Sequence, residues 1–132
     1  MMYDLVESIK QHEGFRGMPY DDSLGIPTIG YGTKLPITEH EADLLLKSRM
    51  YQKKEELERA EPFFKELPKE KQDILLEMAY QLGVGGLMKF KKMWKALKRF
   101  DYEEAAKEAL DSRWAKQTPK RAEELAGRLR GM

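Results

Sequence analysis

The chain has 132 residues, of which 24 are basic and 23 acidic, and 41% are hydrophobic. This length suits a single domain with one modest core, and a net charge of +1 does not indicate a nucleic-acid partner. The lack of cysteine excludes a disulfide framework, a thiol nucleophile and a cysteine-based zinc site, and two histidines are too few for a histidine-rich metal centre, so we expect no metal or cofactor.

The first part of the chain predicts a helix followed by a small sheet. Apolar residues recur at helical spacing near the start, at Met2, Leu5, Val6 and Ile9. Gly14 is placed to end this helix, because glycine is favoured just beyond a helix C-terminus. Residues 15–37 contain four glycines and three prolines between short segments such as Thr28-Ile29, which indicates an antiparallel sheet with tight turns.

The rest of the chain predicts helices. Thr38 and Glu41 form a capping box that begins a helix running to about Arg59, before two prolines in residues 61–68 interrupt it. The positions of this helix predicted to point inward are Ala42, Leu45, Leu46 and Met50. Three more helices are predicted at residues 69–82, 87–100 and 102–110, and a last one from Pro119 to near Gly131.

The boundaries of these later helices follow from local signals. The glycine-rich residues 83–86 separate the helix at 69–82 from the helix at 87–100, and Asp101 is placed to cap the helix at 102–110. Thr118 is a suitable N-cap for the last helix, with Pro119 as its first residue. The chain is therefore predicted to be α+β and mostly α, with a small antiparallel sheet lobe and a helical lobe whose cleft suits an extended ligand.

Charge is distributed unevenly along the chain. Residues 1–60 contain eight basic and eleven acidic groups, whereas residues 61–132 contain sixteen basic and twelve acidic groups. The basic excess is concentrated in Lys89, Lys91, Lys92, Lys95, Lys98 and Arg99. This cluster is either a solvated helix face or a patch that attracts an anionic polymer.

Two carboxylates and a hydroxyl stand out in the first part of the chain. Glu13 closes the first predicted helix, where the negative end of the helix dipole favours a neutral carboxyl group, as a general acid requires. Asp22 lies in a polar turn and should stay ionised. Such a contrast suits glycoside hydrolysis, but any helix followed by a hairpin can place Glu and Asp in this way, so a purely structural interpretation stays open.

Three sequence blocks resemble the T-even phage lysozyme family, glycoside hydrolase family 24. In the first, Gly14 follows Glu13 directly, eight residues separate Glu13 from Asp22, five separate Asp22 from Thr28, and Ile-Gly-x-Gly follows at residues 29–32. The second block is Met78-Ala79-Tyr80-Gln81-Leu82-Gly83. The third is Ser112-Arg113-Trp114-Ala115-Lys116-Gln117-Thr118-Pro119-Lys120-Arg121-Ala122. The blocks occur in the family's order over nearly the whole chain.

The resemblance implies a lysozyme-like fold, with one domain at residues 1–132, a smaller lobe at about 14–59 and a helical lobe at 1–13 and 60–132. It implies a muramidase that cleaves the β-1,4 bond between N-acetylmuramic acid and N-acetylglucosamine in peptidoglycan. Glu13 would be the general acid, Asp22 the base or the stabiliser of the positive sugar, and Thr28 the holder of the attacking water. The residues implied to bind the substrate or pair with the acid are Gly32, Met78, Tyr80, Gln81 and Arg121.

The chain departs from the family pattern in its sheet region. Thr33 stands where a family member has His, and Arg49 aligns with the Asp that pairs with that His. We therefore expect a loss of pH-dependent stability but no loss of catalysis. The segment between Gly32 and Thr38 is also shorter, so the sheet lobe should be smaller and the far end of the sugar groove trimmed.

Two alternatives to a muramidase follow from the same residues. One is a catalytically silent module that binds cell-wall glycan, and the other is a lytic transglycosylase, which needs only an acid. The pairing of Asp22 with Thr28 as a water site favours hydrolysis. The presence of Glu13, Asp22 and Thr28 together favours an enzyme over a binding module, because binding alone does not need an acid.

The resemblance and the composition also imply a partner and a location. The longest apolar runs, such as residues 44–46, are far shorter than a membrane span, and Asp4 and Glu7 interrupt the region where a signal peptide needs an apolar run. We expect a monomeric phage endolysin without stable membrane insertion, which accumulates in the host cytoplasm and reaches bacterial peptidoglycan through a holin.

Overall fold

The fold contains seven α-helices and three strands within residues 2–131, the part of the chain that this computed structural model describes. Side chains are described from Asp4 onward, so the predicted place of Met2 on an apolar stripe lies outside them. The helices are α1 (Met2–Glu13), α2 (Glu39–Ala60), α3 (Lys69–Met88), α4 (Lys91–Leu97), α5 (Tyr102–Leu110), α6 (Arg113–Gln117) and α7 (Pro119–Arg130). The strands are β1 (Arg16–Asp21), β2 (Pro27–Gly30) and β3 (Thr33–Lys34), and a 3-10 helix spans Pro62–Glu66.

The three strands form one antiparallel sheet in the order β1-β2-β3. Thr28 of β2 pairs with Tyr20 of β1 on one side and with Lys34 of β3 on the other. Because directly paired residues of antiparallel strands point to the same face, these three side chains share one face of the sheet. The predicted sheet and the predicted α+β, mostly α, lysozyme-like fold class are confirmed.

The chain divides into two compact units between Leu45 and Leu46, a boundary that falls inside α2. The first unit contains α1, the sheet and the start of α2. The second contains the rest of α2 and all later helices. This division differs from the predicted lobes, because α1 belongs with the sheet rather than with the helices. The single domain at residues 1–132 stays a prediction.

The second unit has an apolar core to which α3, α4, α5 and α7 all contribute. Its large and fully buried side chains include Leu57, Phe64, Ile74, Leu75, Leu87, Met93, Leu97, Leu125 and Leu129. Burying such a side chain contributes about 1.5–3 kcal/mol relative to leaving it exposed. Trp94 and Trp114 are also buried, and the Trp94 indole N–H donates to the carbonyl oxygen of Leu87 at 3.1 Å.

One buried cation, Lys71, connects two helices of this core. Its side chain lies on α3, and the residue is only 2% exposed. Its Nζ donates to the carbonyl oxygens of Arg128 and Gly131 at the end of α7, and lies 4.7 Å from the ring centroid of Tyr102. The last carbonyls of a helix lack helical partners and carry partial negative charge, so an ammonium group is stabilised there.

The helices around Gly83 differ from the prediction. Helix α3 continues to Met88, and its only interruption is Gly83, at φ 78° and ψ 157°. That conformation is open to glycine alone, whereas the next residues return to the helix because Val84 and Leu87 are buried in the core. The predicted start of a helix at residue 87 is therefore wrong, and α4 begins at Lys91.

The predicted inward positions of α2 are wrong for Leu45 and Leu46, which are 52% and 43% exposed. The buried residue of α2 is Leu57, near its other end. On α1, the apolar side chains of Leu5 and Val6 are exposed as well. A unit built from short strands offers little apolar surface to cover them, as small folded units bury a small fraction of their surface.

Two of the predicted helix caps are confirmed. The Thr38 N–H donates to Glu41 Oε1 at 2.8 Å, while the Glu41 N–H donates to Thr38 Oγ1 at 3.1 Å. The Asp101 carboxylate accepts from the Glu104 N–H at 3.1 Å. Thr118 makes no such bond, because its hydroxyl donates instead to the Trp114 carbonyl. Among the helices in residues 2–131, none combines the length and apolar character needed to cross a membrane.

Candidate active site

Glu13 is the last residue of α1, and Gly32 lies directly against its carboxylate. Gly32 has a φ of 72°, and a methyl group added to its Cα would lie 2.5 Å from Glu13 Oε2. Only glycine combines this backbone angle with so close an approach. The Glu13 side chain is exposed, and no hydrogen bond or ion pair among the described residues of the first unit involves it. Its carboxyl group is therefore held by shape and remains accessible.

Asp22 follows β1 directly and is oriented by the turn that leads to β2. Its Oδ1 accepts hydrogen bonds from the N–H groups of Leu24 and Ile26, both at 2.8 Å. The main chain closes the same turn, since the Asp22 N–H donates to the Ile26 carbonyl at 3.0 Å and the Gly25 N–H donates to the Asp22 carbonyl at 2.9 Å. These four bonds fix the carboxylate in one orientation.

Lys34 reaches from β3 to the other oxygen of the same carboxylate. Its Nζ lies 2.5 Å from Asp22 Oδ2. The register of the sheet explains the contact: Lys34 pairs with Thr28, Thr28 pairs with Tyr20, and Asp22 lies two residues beyond Tyr20. Tyr20 and Lys34 point to the same face of the sheet, and Asp22, directly beyond the end of β1, meets the Lys34 ammonium from the turn.

These bonds hold Asp22 in its ionised form. They lower its pKa from the ordinary 3.8 to about 2, mainly through the hydrogen bond from Lys34 and then through the Ile26 N–H, against a smaller opposing effect of desolvation. The pKa of Lys34 is raised in turn, first by its bond to Asp22 and further by the charge of Glu13. Lys34 is thus a counter-ion that lies in the field of both candidate carboxylates.

Thr28 lies between its paired residues Tyr20 and Lys34 in the sheet and is only 1% exposed. Its Oγ1 donates its proton to the carbonyl oxygen of Ile26 at 2.8 Å. Because that proton is committed, the hydroxyl oxygen is left to accept a hydrogen bond. The burial of Thr28 means that a water bound to it would be an internal one with little access to bulk solvent.

Four predicted site residues lie in the second unit rather than in the first, and three of them are on α3. Gln81 Oε1 accepts a hydrogen bond from the Trp114 indole N–H at 2.9 Å, which links the second sequence block to the third. Tyr80 is 46% exposed, so its ring is available to a ligand. Met78 is 1% exposed and belongs to the core, so the prediction that it contacts a substrate directly is not supported by its position.

Arg121, at the start of α7, has a partner within its own unit. Its Nε and Nη2 both lie 3.1 Å from Glu77 Oε2 on α3. This side chain is 40% exposed. Pairing with Glu77 is the interaction that the structure describes for Arg121, and its predicted pairing with Glu13 stays a prediction.

The second unit also contains a pocket of about 630 Å³ beside Trp114. Its wall combines apolar side chains with charges of both signs, from Leu82, Lys89, Phe90, Lys92, Glu108, Asp111 and Arg113. Among the described residues, no group of three or more His, Cys, Asp or Glu side chains is arranged to hold a metal ion.

Of the two candidate carboxylates in the first unit, Glu13 is thus exposed and Asp22 is ion-paired. The phage lysozyme family model matches residues 10–130, and the chain belongs to that family. It is also similar to the pre-baseplate central spike protein Gp5 of Enterobacteria phage T4, with 30% identity. That match covers 89% of this chain but 26% of Gp5, so the chain spans about a quarter of the length of this relative.

Lys34 is the site residue that the sequence analysis missed. The hairpin from β2 to β3 is centred on Tyr31, so counting outward pairs Ile29 with Thr33 and Thr28 with Lys34. That count was available from the sequence once the turn was located. What the sequence did not supply was the distance from Lys34 to Asp22, because this depends on how the turn after β1 folds back.

Replacing Lys34 should raise the pKa of Asp22. In Lys34→Met the strongest of its three hydrogen bonds is removed, so the pKa should rise from about 2 toward 3.8 while the two amide bonds keep it below that value. An ionised Asp22 stabilises the native state at pH above 3.8, and that contribution is lost as pH falls toward 2. The variant should be less stable than the wild type at neutral pH. The pH range over which its stability falls on acidification should also be narrower.

Carbon-13 NMR of the Asp22 carboxyl group measures this titration directly, and urea unfolding across pH measures the linked stability. Lys10→Met is the matched control, since Lys10 is also in the first unit but lies near Glu7, at 3.7 Å. An unchanged Asp22 titration in Lys34→Met would mean that the turn amides alone set its charge.

Proposed function

We propose that the chain is a muramidase that hydrolyses the β-1,4 bond between N-acetylmuramic acid and N-acetylglucosamine in bacterial peptidoglycan. The observation that supports this most is the contrast between its two carboxylates. Asp22 is tightly bonded and ionised, whereas Glu13 is exposed at a helix end with no bond partner among the described residues of its unit. Membership of the phage lysozyme family supports the same class of activity.

In this proposal Glu13 donates a proton to the glycosidic oxygen as the bond breaks. Glu13 suits this role because its carboxyl group is exposed and has no hydrogen-bond partner among the described residues of its unit, so a substrate oxygen can reach it. Gly32 lets the main chain approach that carboxyl group, and so limits the directions in which it can point. A donor fixed in this way delivers its proton along one line.

Asp22 acts in this proposal mainly through its charge. A carboxylate with a pKa of about 2 is a weak base, so it does not remove a proton from water early in the reaction. It stays negative at every working pH and stabilises the positive charge that develops on the sugar ring. A water that donates one proton toward Asp22 and the other toward Thr28 Oγ1 keeps a lone pair free for attack. As the new C–O bond forms and the bond to the glycosidic oxygen breaks, the proton that the water loses passes to Asp22.

A lytic transglycosylase is the nearest alternative, and the products separate the two. Hydrolysis adds water and leaves a reducing sugar end, whereas a transglycosylase leaves an anhydro-sugar end. If the water sits opposite the leaving group, inversion of the β linkage gives an α anomer first. We expect a water-adducted product by mass spectrometry and the α anomer by proton NMR. An anhydro product would contradict hydrolysis, and an initial β anomer would contradict the water-holding role of Asp22 and Thr28.

The route to the wall is also part of the proposal. We propose that the protein acts as a monomer, accumulates in the host cytoplasm as an endolysin and meets peptidoglycan after a holin opens the membrane. The similarity to a phage central spike protein favours a second route, in which the chain is part of a virion. Detecting the chain in purified virions would favour that route, and detecting it only in lysates would favour the first.

Glu13→Gln should abolish hydrolysis and leave the fold intact. Glutamine keeps the shape of the side chain but has no proton to donate, and loss of a general acid typically costs roughly 10²–10⁴-fold in rate. Clearing of a peptidoglycan suspension measures the rate, and circular dichroism measures the fold. Glu7→Gln, an exposed position on the same helix, is the matched control and should keep its activity. Activity in Glu13→Gln above about a tenth of wild type would contradict the role of Glu13.

Gly32→Ala should impair activity more than its effect on stability explains. Gly30 and Gly32 both have positive φ, at 70° and 72°, so alanine costs about 1–2 kcal/mol of backbone strain at either position. Only at Gly32 does the added methyl group meet the Glu13 carboxyl group. We expect similar unfolding midpoints in urea for Gly30→Ala and Gly32→Ala, but a wall-clearing rate at least several-fold lower for Gly32→Ala. Equal rates would mean that the close approach of Gly32 does not orient Glu13.

A further inference from the structure

A cationic surface surrounds α4 in the second unit, at a distance in sequence from the candidate catalytic residues. We call it the α4 cationic face, and it consists of Lys89, Lys91, Lys92, Lys95, Lys98 and Arg99, all of them exposed. The opposite side of the helix is buried in the core through Met93, Trp94, Ala96 and Leu97. Lys91, Lys92 and Lys95 therefore project from a helix whose orientation is fixed by packing, and the other three basic residues lie just before and after it.

Most of these charges have no acidic partner. Within residues 2–131, Lys98 is paired with Glu61 at 3.1 Å and Arg99 with Asp101 at 3.5 Å, whereas no ion pair involves the other four lysines. Helix α4 contains no acidic residue at all. Elsewhere in the chain, lysines on helices do have acidic neighbours one turn away, as Lys69 has in Asp73. The α4 cationic face thus differs from an ordinary solvated face of alternating charge.

The same lysines converge on concave surface. A pocket of about 360 Å³ is lined by Lys91, Lys92, Lys95 and Lys98, with Met88, Trp94 and Glu61 completing its wall. Lys91 and Lys92 also line the larger pocket beside Trp114, together with Lys89. The two pockets are therefore joined by a ridge of two lysines, and an extended anionic chain can contact both. A single small anion would use only one of them.

The chemistry of the side chains suits phosphates spaced along a flexible chain. Five of the six groups are lysines, and an ammonium group binds phosphate as a point charge, without the planar fork by which arginine pairs with carboxylate and phosphate alike. A membrane surface is a poor fit, because the exposed large apolar side chain beside the face is Phe100, whose ring packs 5.7 Å from that of Phe63, whereas Met88 is half-buried and Trp94 buried in the pocket wall. Nucleic acid is also a poor fit, since the face offers no row of exposed aromatic rings for bases and the chain's net charge is only +1.

We propose that the α4 cationic face is a binding site for a phosphodiester-linked polyol polymer of the bacterial surface, of the poly(glycerol phosphate) type. The bacterial source of this polymer rests on the proposed muramidase function, whereas the phosphate chemistry rests on the face itself. Binding there would hold the protein at the wall while the first unit acts on glycan. It would depend strongly on salt, because each phosphate that a lysine neutralises releases a condensed counter-ion.

Binding to purified poly(glycerol phosphate) tests the site without any glycosidic substrate. The wild-type protein should bind at about 50 mM salt and lose most of its affinity by about 200 mM. A variant with serine at Lys89, Lys91, Lys92 and Lys95 should bind at least about tenfold more weakly at low salt, and its salt slope should fall by roughly one for each phosphate that is no longer neutralised. The control variant removes the same number of charges elsewhere, at Lys54, Lys65, Lys107 and Lys120, and should bind almost like wild type.

Equal losses of affinity in the quadruple serine variant and the control variant would contradict a specific site on the α4 cationic face, because the effect would then come from net charge alone. Equal affinity for hyaluronan, a polymer with carboxylates and no phosphate, would overturn the phosphate assignment. Tighter binding to single-stranded DNA or to phosphatidylglycerol vesicles would overturn the choice of polymer. If circular dichroism shows that the quadruple variant is misfolded, the double variant Lys91→Gln, Lys92→Gln tests the site instead. Unchanged binding of poly(glycerol phosphate) by this double variant would contradict the proposal. Because no variant touches Glu13, Asp22 or Thr28, and the probe has no glycosidic bond, this result is independent of the muramidase assay.

Discussion

The ion pair between Lys34 and Asp22 is the interaction on which the first unit depends most. The turn amides of Leu24 and Ile26 hold one carboxylate oxygen, but only Lys34 holds the other. The same interaction ties β3, a strand of two residues, to the end of β1 on the far side of the sheet. One bond thus serves both the edge of the sheet and the charge of a candidate catalytic group. This explains how a sheet whose last strand has only two residues can present an ordered carboxylate.

The two charged regions of the chain illustrate opposite uses of charge. In the first unit every oxygen of the Asp22 carboxylate has a donor, so this group is fixed in direction and protonation state. On the α4 cationic face most of the lysines lack a partner within residues 2–131, so their charge is directed outward into solvent. Compensated charge suits a group that must stay in place during a reaction. Uncompensated charge suits attraction of a polymer over a distance comparable to the Debye length.

Much of this structure was predictable from sequence where a local rule was sufficient. The capping box of Thr38 and Glu41 and the glycine end of α1 depend on neighbours a few residues apart, and both were found. The predicted extent of the break at residues 83–86 was wrong, because burial of Val84 and Leu87 outweighs the low helix propensity of glycine there. The inward positions predicted for α2 were wrong at Leu45 and Leu46, since periodicity reports an apolar stripe and not whether anything covers it.

The candidate site shows the same division between local and distant information. Glu13, Asp22 and Thr28 were predicted as site residues from a family resemblance that their spacing carries, and they stay predictions. Lys34 and the partner of Arg121 depend on contacts between elements. The pairing of Arg121 with Glu77 joins residues 44 positions apart, and no pattern within one helix indicates it. The close approach of Gly32 to Glu13 is similar, because a glycine signals a missing side chain but does not say which neighbour takes the space.

The burial of Lys71 has a consequence for the way the helical unit opens. The final turn of a helix is ordinarily the first part of it to fray, because its carbonyl groups have no helical partners. Here the ammonium group on α3 binds the carbonyl oxygens of Arg128 and Gly131 from beneath. If the end of α7 frayed, the buried ammonium group of Lys71 would lose both carbonyl partners, so the end of α7 is coupled to α3. Its amide hydrogens should therefore exchange with solvent only when α3 itself unfolds, which makes the two helices one cooperative unit.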